Sequence, residues 1–236
     1  GDVDHIDTYT NGKKKVMEFH FEGQPYHQAR LDSGKGKYEL RFPHGELMAE
    51  IEFSNYYDNG LTVYYYVNGV TQAEGVLING EKNGLWKYYH PNGKISAEGT
   101  YALGDHEGEW RWYNEAGKLE TIRRYEHDEM NGLYETFYDN GQLEVSIPYT
   151  HDLAHGMAYY YAPTGDLQMV RKYHYDKMEG ITWNGSNGKL APITPVENET
   201  IEITTKYPNG KPSRSFKMED DNFQGVYKEF WPNGKL

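Results

Sequence analysis

The residues with a capacity for chemistry recur at a fixed spacing. An aromatic column runs Tyr65, Tyr89, Tyr113, Phe137 and Tyr161, one residue every 24 positions, and returns at Phe230. Rings with polar tips suit contacts to protein or sugar. The same column could instead pack within a curled sheet and hold neighbouring units together. Packing is the preferred reading, because repeat units must bury stacking surface. A second aromatic column, Trp86 and Trp110, could form a carbohydrate platform, but bulky aromatics at a strict repeat position favour a core.

Acidic and histidine residues gather in short runs between these columns: Asp105-His106-Glu107, Glu126-His127-Asp128-Glu129, and His151-Asp152 with His155. His151 and His155 have the four-residue spacing of a helical metal pair, but no helix is predicted there and further ligands are lacking. The carboxylates follow no twelve-residue calcium-loop rhythm. They read as a solvated rim, in which Asp105, Glu107, Asp128 and Glu129 are candidates for partner binding beside Tyr65, Tyr89, Tyr113, Phe137 and Tyr161. No phosphate-binding loop and no serine elbow is present. Regular repetition also argues against one unique pair of catalytic carboxylates. The reading is therefore non-enzymatic, with no cofactor and no metal.

The elements that must position these residues are hairpins. The stretch 84–101, GLWKYYHPNGKISAEGTY, reads as strand, Asn-Gly turn, strand. Its turn glycine recurs every 24 residues at Gly45, Gly69, Gly93, Gly117, Gly141 and Gly165, then with slippage at Gly188, Gly210 and Gly234. A second glycine precedes the turn by nine residues at Gly36, Gly60, Gly84, Gly108, Gly132, Gly156 and Gly225. A period of this size implies stacked units, none of which can bury its apolar face alone. A two-residue type I′ turn at Asn92-Gly93 would pair His90 with Ile95, Tyr88 with Ala97, Trp86 with Gly99 and Gly84 with Tyr101. Trp86, Tyr88, Ile95 and Tyr101 would then share the buried face, and Lys87, Tyr89, Ser96 and Glu98 the polar one.

The best copies are GLWKYYHPNGKI (84–95), GEWRWYNEAGKL (108–119), GLYETFYDNGQL (132–143) and GVYKEFWPNGKL (225–236). This pattern resembles the MORN repeat, and more closely the variant found in bacterial YwqK-type antitoxin proteins. The resemblance implies hairpins with no shared active site, and a role in neutralising a toxin or a similar binding role. The predicted fold is all-β, an elongated antiparallel β-hairpin repeat solenoid forming a single domain over 1–236. Its expected parts are an irregular segment at 1–35, regular repeats at 36–179, a kink at 180–200 and terminal repeats at 201–236. The chain starts at Gly1 and not Met. Since many proteins resembling it carry export signals, a removed signal and a cell-envelope or periplasmic location are expected.

Composition narrows the partners. The net charge is −12, from 36 acidic and 24 basic residues, which disfavours nucleic acid and anionic membrane surfaces. It suits a basic protein partner. With no cysteine, disulfides, thiol catalysis and Cys-based zinc sites are excluded. The leading functional expectation is a protein-protein interaction scaffold. The alternative is an envelope or carbohydrate-binding module that uses the aromatic column.

Overall fold

A computed structural model of the chain describes residues 3–31, 34–183, 189–196, 200–206, 211–219 and 222–236. The turn glycines expected at Gly188 and Gly210 lie outside these residues. The described elements are all strands and turns, and the chain forms two compact units. The first comprises residues 1–119 and 125–128, the second residues 120–124 and 129–236.

In the first unit, β1 (Val3–Thr10), β2 (Lys13–Phe21) and β3 (Gln24–Arg30) form a three-stranded antiparallel sheet. The segment expected to be irregular at 1–35 thus holds three strands, and Pro25 lies on the sheet's outer strand, where a missing N–H is tolerated. The repeats follow as β4 (Lys35–Arg41), β5 (Leu47–Ser54), β6 (Tyr57–Tyr65), β7 (Thr71–Ile78), β8 (Glu81–Tyr89), β9 (Ile95–Ala102) and β10 (Asp105–Tyr113). Each pairs antiparallel with the next in chain order. Strand β11 (Leu119–Glu126) is divided between the two units.

The second unit continues with β12 (Glu129–Met130), β13 (Gly132–Phe137), β14 (Leu143–Thr150), β15 (Leu153–Ala154), β16 (Gly156–Tyr161), β17 (Leu167–His174), β18 (Lys177–Trp183) and β19 (Thr194–Pro195). There β13, β14, β16, β17, β18 and β19 lie side by side in that order, and β15 pairs with β14. A separate three-stranded sheet holds β20 (Thr200–Lys206), β21 (Pro212–Glu219) and β22 (Asn222–Glu229). Met178, Ile181, Ile203 and Met218 make a core in this unit.

The pairing of β8 with β9 places Gly84 opposite Tyr101, Trp86 opposite Gly99 and Tyr88 opposite Ala97, as expected from the alternation. Trp86, Trp110 and Tyr101 are buried on that face with Ala49, Phe53 and Ala73. The Trp86 indole donates to the Val76 carbonyl, and the Trp110 indole to that of Thr100. The Lys82 ammonium lies over the Trp86, Tyr88 and Tyr101 rings and donates to the Tyr88 hydroxyl. Burial lowers its pKa, and the aromatic faces offset part of that cost.

The Asn-Gly turn itself differs from the type I′ expectation. A type I′ turn needs positive φ at both central residues, but Gly93 has φ 82 while Asn92 does not fall in that region. The Gly93 N–H donates to the His90 carbonyl and the His90 N–H to that of Lys94, which makes a longer turn ending in a left-handed glycine. Tyr89, not His90, therefore pairs with Ile95. A bulge between Tyr88 and Tyr89 restores the register inward of it.

Asn92 serves the stack instead. Its amide donates to the Glu115 carbonyl of the next turn, and its carbonyl oxygen accepts from the Lys94 N–H. Asn140 repeats both contacts, with Pro163 and Gln142.

Gly141 stands at φ 82 with open space where a Cβ would go. Gly141→Val is thus expected to cost about 1–2 kcal/mol through backbone strain alone. Gln142→Val should melt with wild type. Thermal unfolding of the pair checks this, and coincident melts would mean that the bend does not need its left-handed residue.

Candidate functional site

The true type I′ turns occupy the opposite edge. Asn79 and Gly80 have φ 53 and 87, and Leu103 and Gly104 have φ 49 and 100. In three further turns the second residue is an aspartate, at Asp128, Asp152 and Asp176. Asp tolerates this region better than most side chains. Each of the three also clasps the preceding repeat. The Asp128 carboxylate accepts from the His106 N–H at 2.6 Å, Asp152 from Met130 at 2.7 Å, and Asp176 from Ala154 at 2.6 Å. The N–H of each aspartate returns a bond to the carbonyl of the same residue.

The acidic runs are therefore engaged rather than freely displayed. His106 Nδ1 lies 2.6 Å from Asp128 Oδ1, and the His106 ring sits among Tyr101, Trp110 and Tyr125. Asp105 opens β10, opposite Ala102. Glu107 accepts from the His127 N–H, and Glu129 lies 2.7 Å from His151 Nδ1. His155 packs instead against His174 and Tyr175, so the two histidines of the four-residue spacing take different partners. Among the described residues, no three His, Cys, Asp or Glu side chains converge on a metal position.

The backbone N–H and side chain of His106 hold the Asp128 carboxyl below its ordinary 3.8. A carboxyl depressed in the folded state adds stability above its unfolded pKa, and that stability is lost as pH falls through the folded value. Asp128→Asn is expected to melt below wild type at neutral pH, with the gap closing as pH falls past about 3.8. Thermal melts of both proteins across that range check it. A gap that is constant with pH would remove the charge from the clasp.

The aromatic column lies on the polar face, half-buried. Tyr65 donates to Glu50, Tyr89 to Glu74 and Tyr113 to Glu98, at 2.8, 2.6 and 2.9 Å. Each bond ties one hairpin to the hairpin before it. Partial burial, then the carboxylate bond, pushes the Tyr65 and Tyr89 hydroxyls up to about 12. Phe137 and Tyr161 hold the same column in the second unit, also half-buried. The hydroxyls that a sugar or protein would use are thus already engaged at Tyr65, Tyr89 and Tyr113.

A stripe that sequence reasoning missed runs beside this column. Leu61 on β6, Val76 on β7 and Leu85 on β8 are 50%, 40% and 56% exposed. Leu61 stands directly opposite Val76, and Leu85 opposite Thr100. These residues belong to the face that carries Lys87 and Glu98, so water, not core, covers them. A Gly-Leu pair at 60–61, 84–85 and 132–133 was the available signal, because the leucine after that glycine falls on the polar face.

An all-β chain of sequential antiparallel hairpins, with turn-to-turn clasps along both edges, belongs to the class of β-hairpin repeat proteins. Four stretches, residues 82–102, 107–127, 130–151 and 223–236, match the family described as MORN repeat variant. The MORN-repeat resemblance therefore holds over these stretches. No curated protein matches the chain. Among solved structures, a variant of the Photorhabdus luminescens Tc holotoxin pore is similar at 10% identity, over 99% of this chain and 14% of that chain, with a TM-score of 0.25. A TcdB2-TccC3-TEV crystal structure is similar at 10% identity, over 99% of this chain and 15% of that chain, with a TM-score of 0.22. The chain spans about one seventh of the length of each.

Proposed function

We propose that the chain is a non-catalytic scaffold that binds a protein partner through the polar face of its repeats, in an antitoxin-like, neutralising role. The observation that carries this reading is the Leu61–Val76–Leu85 stripe, exposed on the face that also carries Lys87, Glu74, Glu98 and the tyrosine column. Aliphatic residues aligned in water, with charge around them, are the surface form of a binding patch. Leu61 and Leu85 would anchor the partner, and the surrounding Glu50, Glu74 and Glu98 would favour a basic one. The net charge of −12 supports the same choice.

The test is capture of a partner from the native lysate on wild type, on Leu61→Ser/Leu85→Ser and on Glu107→Gln/Glu129→Gln, each at low and high salt. A basic protein held by wild type should be lost by the leucine variant. Salt should weaken its capture, since surface charges are screened beyond about 8 Å at physiological ionic strength. Relief of that partner's toxicity by wild type would support the neutralising role. Equal retention on all three proteins would overturn the assigned face, and turnover of a substrate by this chain would overturn the non-catalytic reading.

A further inference from the structure

The first unit contains a cavity of about 460 Å³ between the β1–β2 turn and the hairpin turns of the repeats. Its floor is apolar, with Met17 and Leu31 buried. Its walls are aromatic: the Tyr56 ring, with Tyr9 and Tyr57, which are 57% and 61% exposed. A volume of this order suits a small molecule, and an apolar lining with a few polar groups suits recognition.

The lysines in and beside it are held differently. Lys14 is paired with Asp7 at 2.6 Å, and Lys15 donates to the Tyr56 hydroxyl. Asp58 accepts from the Tyr38 hydroxyl at 2.8 Å. Lys13 makes no ion pair among the described residues; its ammonium rests 5.0 Å from the centre of the Tyr56 ring. In a chain with twelve excess negative charges, an unneutralised ammonium at an aromatic cavity is an anion anchor.

Tyr56 gives a second, independent sign. It occupies the second position of a type I′ turn with φ 67, where other hairpins of the chain place Gly23, Gly80, Gly104 or an aspartate. A bulky side chain is disfavoured there, and such strain gathers at ligand clamps. The ring is also accommodated by Gly34, whose absent Cβ would meet it at 2.7 Å. The chain thus keeps a strained tyrosine whose ring forms the cavity wall.

We propose that this cavity binds a small monocarboxylate with an apolar body, the carboxylate on the Lys13 ammonium and the body against Met17, Leu31 and the Tyr56 ring. Of the two lysines that line the cavity, Lys14 is paired with Asp7, which leaves the Lys13 ammonium to meet a single negative charge. A phosphate dianion is disfavoured, because Asp58 lines the same cavity and Asp7 adjoins it.

Phenylacetate is the probe, followed by amide NMR shifts of Leu31, Tyr56 and Tyr57 in the full chain. Saturable shifts below about 10 mM are expected. The neutral isostere 2-phenylethanol and inorganic phosphate should each bind about tenfold more weakly or worse, as loss of one charge-assisted contact implies. Lys13→Gln should weaken phenylacetate by a similar factor. Tyr56→Gly should weaken it too while melting no lower than wild type, since it relieves the left-handed strain. Lys118→Gln, far in sequence and outside the cavity lining, should bind as wild type. Failure to saturate, equal binding of phenylacetate and 2-phenylethanol, or undiminished binding by Lys13→Gln would each overturn the proposal. The cavity does not include Leu61 or Leu85, so its failure leaves the scaffold reading standing, and the reverse.

Discussion

Trp110→Ala is expected to cost about 3–5 kcal/mol, whereas Tyr113→Ala, three residues away, should cost less than half as much. Trp110 is 2% exposed. Its ring meets Tyr101 and His106 at centroid distances of 4.9 and 4.6 Å, and its indole N–H is bonded to Thr100. Truncation would lose those contacts and leave a void that the sheet backbone cannot close. It would also leave the Thr100 carbonyl without its indole donor. Tyr113 is half-buried on the other face, and its hydroxyl bonds to Glu98 beside solvent, so water can replace much of what is lost. Against a total stability of about 5–15 kcal/mol, the first loss is large and the second moderate. Urea melts of both variants measure it. Equal losses would mean that the two faces are wrongly assigned.

That assignment was legible before the structure because the alternation on β8 and β9 fixes it. The turn was not. A two-residue type I′ loop and the observed loop with its bulge differ by one residue at Tyr89 and Ile95, yet they agree from Tyr88 and Ala97 inward. The two departures cancel, so a wrong turn led to the right faces. Asn-Gly is a turn signal with more than one solution. The same longer turn forms at 42–46, 114–118 and 162–166, where His44, Ala116 and Thr164 replace the asparagine. The Asn92 bond to Glu115 adds to it a contact between repeats that no single hairpin contains. The roles of Asp128, Asp152 and Asp176 were hidden for the same reason. Their type suggests a solvated rim, and only the stacking of one repeat on the next shows each as a clasp 22 residues from its partner. The candidate site was least legible. The aromatic column was visible by its period, but its ties to Glu50, Glu74 and Glu98 were not. The Leu61–Val76–Leu85 stripe combines residues from three strands, and the repeated Gly-Leu pair marks only Leu61 and Leu85 and says nothing of Val76 between them.

Gly99→Val is expected to be among the most damaging single changes in the chain, and Trp110→Ala should largely remove its effect. A Cβ at Gly99 would fall inside the Trp110 ring, as one at Gly75 would fall inside that of Trp86. Gly99 has an ordinary backbone conformation, so the penalty comes from space and not from φ. The same pair of positions recurs along the sheet with its sizes exchanged. Ile51 stands opposite Thr62, and the β14–β16 register brings Ile147 to Ala158. Where the first residue is large the second is small, and where it is glycine the second is tryptophan. Arg123 and Tyr134 fill the position in a third way, with the guanidinium over the ring at 5.5 Å. Overpacking a tight site costs about 1–3 kcal/mol or more, and residues in direct contact couple by about 0.5–3 kcal/mol. Denaturant unfolding of Gly99→Val, Trp110→Ala and the double variant forms the cycle. The valine should be strongly destabilising in the wild-type background. In the alanine background it should be near neutral or stabilising, because the isopropyl group enters the space the indole left. Additive losses would show that the glycine is needed for something other than room, and that the exchange of sizes along the sheet does not reflect packing of one residue against the other.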